Sequence, residues 1–468
     1  MTINSKISIW QRSCNCGKFF KYEWLYANLD FVEECKEKGL KPICLIGGAS
    51  SSGKSFLSKQ LQSFLLSNNL KSIIISTDNY NKGIAKNIFD IVDKKYYNGS
   101  ILNKDKIVQN IKDVIISSSF ENKFCDENLQ KINDLCKVLL NVEPQSFLKK
   151  LKYEFDHINF DTKTVYDLDQ VAVDLSLLSQ NKSIQEKQYS KLTSERLENI
   201  NIINGNDYDV VIVEGIYALD KSVIDNLQKA NTTKTFVECN DKYLFVRRLI
   251  RDTKITNCPS SFIIKNYFEF VSPEYHKNIL PTKNNADYVL NNNMSFAELR
   301  EGPLTCQERY KINFEKLKDI LKNSKLLKKS YLQDIYFGNE NDKDLLRLRL
   351  EGTDKNNLSL ESLTYKGQQR LRKDNKLVRP IHILCNQSDL NGLFENKQTL
   401  LKYFESIGLD KYQTVNKRRI IVLYKGKILK LDYFDRNEIY VEVENVEQEL
   451  FSKNIKKTAN LQKTNFEF

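Results

Sequence analysis

Short unbroken apolar runs, separated by stretches of helical periodicity, mark the first 290 or so residues. "PICLI" at 42–46 predicts a buried strand, and "SFLSKQLQSFLLS" after the following glycine-serine loop carries apolar residues at helical spacing. "SIIIS" at 72–76 and "VVIVE" at 210–214 predict further buried strands, the first running into Asp78 and the second ending in Glu214. "ILNKDKIVQNIKDVIISS" and "DKYLFVRRLIRD" read as helices, the latter with Arg247 and Arg251 one turn apart. A basic, helix-forming connection follows, "YKINFEKLKDILKNSKLLKK", with Phe314, Leu317 and Leu321 on one side. Beyond Lys329 the texture becomes strict alternation: Leu346, Leu348 and Leu350 oppose Arg347 and Arg349, and Thr364 shares a face with Lys366. "TVNKRRIIVLYKGKILKLDYF" predicts a hairpin that pairs Lys417 with Arg419 on one strand and Lys430 with Asp432 on the other. "EIYVEVENV" aligns Glu438, Tyr440, Glu442 and Glu444, and "KQTLLKYFESIGL" predicts a helix stopped at Gly408.

A chain of 468 residues exceeds what one core usually serves. The pattern divides it into an extension (1–40), an α/β domain (41–295) with an insertion at about 100–150, a helical linker (296–327), a strand-rich domain (328–450) and a basic tail (451–468). A hydrophobic content of 41% and 25 phenylalanines suit packed cores. No apolar run is long enough to span a bilayer and no leader-like N-terminus is evident, so a cytoplasmic protein with reduced thiols is expected. The spacing of Cys14, Cys16, Cys35 and Cys44 is not a usual zinc pattern. The net charge of +12 is compatible with phosphorylated small molecules, and equally with a solvated lysine-rich surface; no nucleic-acid module accompanies it.

Gly48, Gly53, Lys54 and Ser55 fit G-x-x-x-x-G-K-[ST] between a strand and a helix, the context in which backbone amides cradle phosphates. ATP binding follows from it, with Ser50, Ser51 and Ser52 in the loop, Lys54 on the β- and γ-phosphates and the Ser55 hydroxyl on magnesium. Asp78, at the carboxyl end of its strand, is placed to accept a proton from an acceptor hydroxyl, and equally to cap a turn. Arg247 and Arg251 suit a lid over phosphates, or a solvent-facing basic helix.

In order, "GGASSSGKS", "STDNYN", "FDHINFD", "VVIVEGI", "RRLIRD" and "YHKNILPTKNNADYVL" resemble uridine kinases and the related phosphoribulokinase group. The resemblance implies a P-loop three-layer sandwich with a mostly parallel sheet. It implies Asp78 as general base, Glu214 near the magnesium, the arginines on the transferring phosphoryl group, and Phe155, Asp156 and His157 shaping the acceptor pocket. Where the family reads Y-D-x-x-x-H-S-R, "YSKLTSER" keeps Tyr189 and Arg196 for the acceptor but has Ser190 and Ser194 at the Asp and His positions.

In the second half, paired cations on several polar strand faces would repel one another unless an anion sits among them, although a sheet with a wet outer face alternates in the same way. "QDIYF", "LRLRLEG", "LTYKG", "NKRR", "LKLDYF" and "VEVE" resemble the CYTH, or triphosphate tunnel metalloenzyme, superfamily, and the order of the two halves is similar to that of plant uridine-kinase-like tunnel proteins. The resemblance implies an antiparallel β-barrel of α+β type. Its phosphate contacts would be Arg347, Arg349, Lys366, Lys417 and Arg419, and its metal contacts Asp432, Glu442 and Glu444 with magnesium or manganese. The family's opening E-x-E-x-K is absent; "QERYK" has Gln307 and Arg309 in place of the glutamates. Three functions stay open: a nucleoside-type kinase, a metal-dependent triphosphatase or pyrophosphatase with a regulatory front half, and a polyphosphate sensor. The chain is compatible with a homo-oligomer.

Overall fold

Valine and isoleucine crowd the first sheet because it is covered on both faces. The computed structural model describes residues 19–119, 122–197, 201–228, 231–255, 259–293, 304–338, 345–366, 370–371, 377–387, 397–434, 438–444 and 456–457. The chain divides into two units, Met1–Asn293 and Met294–Phe468.

In the first unit, α1 (Phe19–Glu37), β1 (Ile43–Gly48), α2 (Lys54–Ser67) and β2 (Ser72–Ser76) precede four helices: α3 (Ile84–Tyr97), α4 (Lys104–Ile116), α5 (Asp126–Cys136) and α6 (Pro144–Asp156). There follow α7 (Leu168–Ser179), the short pair β3 (Gln188–Ser190) and β4 (Glu195–Leu197), β5 (Val210–Glu214), β6 (Thr232–Glu238), α8 (Asp241–Ile255), α9 (Ser260–Asn266) and β7 (Tyr288–Asn291). The main sheet is parallel in the order β2-β5-β1-β6-β7, and every residue of β1 and β5 is buried. This order brings the carboxyl ends of β1, β2 and β5 together, where open α/β sheets bind ligands.

The stretch expected as an extension holds α1, which is part of the fold. Trp24 is buried, and its indole N–H donates to Thr235 Oγ1 on β6 at 3.0 Å. The stretch expected as an insertion, about 100–150, packs together with the helices that flank it. Helices α3–α6 enclose a core of their own around Ile88, Phe89, Ile111, Ile132, Phe147 and Leu151. Cys35 and Cys44 are buried, whereas Cys14 and Cys16 lie outside the described residues.

The second unit comprises β8 (Leu304–Ile312), α10 (Phe314–Lys322), β9 (Ser324–Phe337), β10 (Leu345–Asp354), β11 (Asn357–Lys366), β12 (Leu377–Asn386), α11 (Lys397–Ser406), β13 (Lys411–Tyr424), β14 (Lys427–Phe434) and β15 (Ile439–Glu444). Antiparallel pairing runs β12-β11-β10-β9-β13-β14-β15-β8, and β8 also pairs with β12 from Leu304 opposite Pro380 to Cys306 opposite Val378. The circuit of hydrogen bonds therefore closes. The stretch expected as a helical linker, 296–327, contains the closing strand β8, a short helix and the start of β9. On α10 the buried residues are Leu317 and Ile320, with Phe314 exposed, because the helix lies on the apolar face of β13, β14 and β15. The expected hairpin is present: Lys425 and Gly426 turn at φ 50° and 76°, both left-handed, as a tight two-residue turn requires. Gly408, at φ 73°, ends α11 as expected. Among the described residues no helix is long and apolar enough to cross a membrane.

Candidate active site

The loop between β1 and α2 bends through left-handed positions, Ser51 at φ 64° and Gly53 at φ 100°. At φ 100° a side chain on Gly53 would be strained, and its Cβ would lie 2.4 Å from Asn292 Nδ2, which would have to shift. The loop leads onto the N-terminus of α2, whose first amides have no intrahelical acceptor. The Ser51 and Ser52 hydroxyls are buried without a partner, and Lys54 folds its ammonium back onto the Ala49 carbonyl at 2.7 Å. Burial lowers the Lys54 pKa, with Glu214 and Asp78 pulling the other way. Orphaned hydroxyls, helix amides and a desolvated cation are the donor set that a phosphate chain satisfies, so the residues present fit one.

Glu214, at the end of β5, accepts from Ser55 Oγ at 3.1 Å and from Ser76 Oγ at 2.6 Å. A hydroxyl and a carboxylate side by side suit magnesium, which takes one or two protein oxygens and fills its remaining positions with phosphate oxygens and water. Asp78 follows β2 in a single 3₁₀ turn, and its Oδ2 meets Lys191 Nζ at 2.9 Å. Burial pushes the Asp78 carboxyl up, but Lys191, Lys54 and Arg251 outweigh it and hold the pKa at about 2.

Lys191 opens the turn between β3 and β4. Arg196 anchors that hairpin, donating from its Nη2 to the Tyr80 carbonyl at 2.7 Å and from Nε to the Asn81 carbonyl at 2.9 Å. The Ala85 N–H donates to Glu195 at 2.7 Å; burial pushes the Glu195 pKa up to about 7. On α8, Arg247 donates to the Asn292 carbonyl at 3.0 Å, and Arg251 lies 3.4 Å from Ser50 Oγ. Arg248 between them is buried, and its Nη1 donates to both carboxylate oxygens of Asp161, at 2.9 and 3.1 Å. The phosphate loop, Asp78, Glu214, Tyr189, Lys191, Arg247 and Arg251 line one cleft of ≈ 380 Å³.

Other expected residues lie elsewhere. Phe155 packs into the core of the α3–α6 subdomain, its ring centroid 4.3 Å from that of Phe124. Asp156 and His157 are exposed, and His157 Nδ1 sits 2.7 Å from the Tyr153 carbonyl. The cause is that α6 ends at Asp156, so "FDHINFD" reaches the cleft only with Phe160 and Asp161. Arg196 does not line the cleft; it acts through the Asp78 loop. Sequence reasoning missed Lys191 and the Asp161–Arg248 ion pair. The lysine two residues after Tyr189 was the available signal for the first, and nothing local announces the second.

A second cluster of charge occupies the polar face of the closed sheet. Arg349 forks onto Asp334 at 2.6 and 2.7 Å, and Arg419 forks onto Asp432 at 2.7 and 2.8 Å, with Lys417 2.8 Å from Asp432. Asp334 and Asp432 are buried, and the cations around each hold it well below the usual carboxylate range despite the opposing pull of burial. Glu442 lies 3.1 Å from Arg419 and 3.8 Å from Lys430. Lys366 lies 3.5 Å from the Tyr336 hydroxyl, and Arg347 donates to Thr364 at 3.1 Å while its Nε is buried without a partner. Burial, with Arg419 and Arg349 adding to it, brings the Lys417 pKa down to about 8. Asp432 and Glu442, expected to hold metal, are thus engaged by cations. The Glu444 side chain lies outside the described residues.

Residues 115–296 match the Phosphoribulokinase / Uridine kinase family. Over that stretch the first unit is similar to the uridine kinase/phosphoribulokinase group. A uridine-cytidine kinase A of Dictyostelium discoideum is 29% identical over 37% of this chain and 34% of its own length. A uridine kinase of Lactobacillus johnsonii is 31% identical over 28% of this chain and 61% of its own. The match therefore spans between about a third and three-fifths of these relatives. The structure of a possible uridine kinase from Bacillus stearothermophilus aligns with 56% of this chain and 99% of its own, at 14% identity and a TM-score of 0.28.

Proposed function

We propose that the first unit transfers the γ-phosphoryl group of ATP to a hydroxyl of a small nucleoside-type acceptor. The observation that carries this reading is the convergence of the phosphate loop, the Ser55–Glu214 pair and Asp78 on one cleft. The loop amides and Lys54 would hold the phosphate chain, and Arg247 and Arg251 would cover it from α8. Ser55 and Glu214 would hold magnesium, which neutralises phosphate charge when bound. Asp78 would take the acceptor proton. Tyr189, Phe160 and Asp161 line the acceptor side. The test is product analysis of ATP with and without uridine or cytidine. ADP and a nucleoside monophosphate are expected only when acceptor is present, and neither is expected from Lys54→Ala; ADP formed at equal rates by both proteins would sink the reading.

For the second unit we propose a tunnel-type pocket that binds tripolyphosphate or pyrophosphate among Arg347, Arg349, Lys366, Lys417 and Arg419. The specific support is the partnerless Arg347 Nε inside a closed sheet in which Asp334, Asp432 and Glu442 are already engaged by cations. That engagement does not suit Asp432 and Glu442 as metal ligands, and no step is assigned to a metal there. Lys417, brought down to about 8, loses its proton as pH rises through that value, and an incoming polyanion favours the protonated form. Tripolyphosphate binding at pH 8.5 should therefore take up a proton. Calorimetry in two buffers of different ionisation enthalpy reads this directly, and identical heats would count against it.

A further inference from the structure

We propose that Lys191 is a catalytic cation of the phosphoryl transfer, supplied from the acceptor side of the cleft and passed from Asp78 to the transferring group as reaction proceeds. The inference rests on the kinase reading above. Lys191 Nζ is 2.9 Å from Asp78 Oδ2, and both side chains line the cleft with Lys54 and Arg251. The backbone beneath Lys191 is fastened on several sides. The Ile84 N–H donates to the Ser194 carbonyl at 2.8 Å, Lys123 Nζ to the Thr193 carbonyl at 2.7 Å, and the Thr193 N–H to Ser190 Oγ at 3.2 Å. Arg196 ties the next strand to the carbonyls of Tyr80 and Asn81, two and three residues after Asp78. The Lys191 side chain, by contrast, is 40% exposed, and its four-carbon stem allows the ammonium to move between neighbouring anions while the main chain stays fixed.

The charge balance of the step shows what such a lysine does. The acceptor oxygen bonds to the γ-phosphorus as the bond from phosphorus to the β,γ-bridging oxygen breaks. That electron pair stays on ADP, and the hydroxyl proton passes to Asp78. Before transfer, the Asp78 carboxylate faces a triphosphate of like charge, and Lys191 cancels the repulsion. After transfer Asp78 is neutral and no longer holds the ammonium, just as a new phosphate ester, with its charge, forms beside it. A hydroxyl in reach of Asp78 lies about 3 Å from that carboxylate. A phosphorus poised for attack lies about 3–3.5 Å further on. The ammonium need only swing across one group. Lys54, Arg247 and Arg251 act from the donor side, on the phosphate loop, α2 and α8; Lys191 comes from the β3–β4 hairpin.

The experiment uses the full chain with magnesium, ADP and aluminium fluoride, a mimic of the transferring group that needs no identified acceptor. For Lys191→Met we expect ADP affinity within about twofold of wild type and affinity for the ADP–aluminium fluoride complex lowered by about tenfold or more, with Lys191→Arg restoring most of it. With uridine as acceptor, the acid limb of kcat/KM in Lys191→Met should move to higher pH, because Asp78 loses its nearest cation; a residue that only braces the hairpin would not move it. Unchanged ADP–aluminium fluoride affinity in Lys191→Met, beside a wild type that binds the mimic, would overturn this inference alone. A wild type that binds ADP but not the mimic would remove the kinase reading and the inference with it.

Discussion

Asp78→Asn lowers phosphoryl transfer by roughly a thousandfold, the middle of the range for loss of a positioned general base. ATP with magnesium still raises the melting temperature of the variant, since the phosphate loop and the Ser55–Glu214 pair are untouched. The separation of the two readouts is the point. A carboxylate that merely capped the Thr77–Tyr80 turn would, when altered, weaken nucleotide binding and catalysis together. In the wild type, Asp78 is held at about 2, so its acid limb lies below the working range. Its ionised form is present above that value and is lost only as pH falls through it. The rate should therefore be flat in Asp78 protonation from pH 5 to 8. Steady-state kinetics beside thermal shift, both with ATP, decide the matter; a variant within tenfold of wild-type rate would rule Asp78 out as the base.

Asp432→Asn destabilises the second unit by about 3–5 kcal/mol, the usual cost of breaking a buried ion pair from one side. Arg419 and Lys417 would remain on the polar face of the ring without the carboxylate that both contact. The double variant Asp432→Asn/Arg419→Met should recover part of that loss, because it removes one stranded cation together with its partner. Denaturant unfolding of the full chain, followed by a probe in the second unit, measures both. A loss below about 1 kcal/mol for the single variant would mean that water reaches the pair and screens it.

Much of this was legible where the signal is local. Gly48 to Ser55 announces a phosphate loop because the bend, the amides and the lysine are contiguous, and the apolar runs on either side specify strand and helix. The Lys425–Gly426 turn and the alternation of Leu346, Leu348 and Leu350 against Arg347 and Arg349 are likewise short-range. What escaped depends on distant partners. "LTCQERYKI" was absorbed into a helical linker because α10 follows it at once; only its pairing with β12 and β15 makes it a strand. Phe155, Asp156 and His157 missed the cleft because a motif fixes order along the chain, not the residue at which α6 ends. Parity placed Asp432 on the charged face correctly, but parity does not choose a partner. Arg419 stands directly opposite it in register, and a bidentate fork takes the carboxylate.

The pairing of β8 with both β15 and β12 ties the opening strand of the second unit to its last-made one. The circuit stays open, with β14 and β8 each lacking a neighbour, until residues 439–444 have left the ribosome and found 304–312, more than a hundred positions back. Such long-range closure makes folding slow and leaves strand borders bare while the chain waits. Nascent chains halted just short of Ile439 should associate with one another through those borders, and chains completed through Glu444 should not.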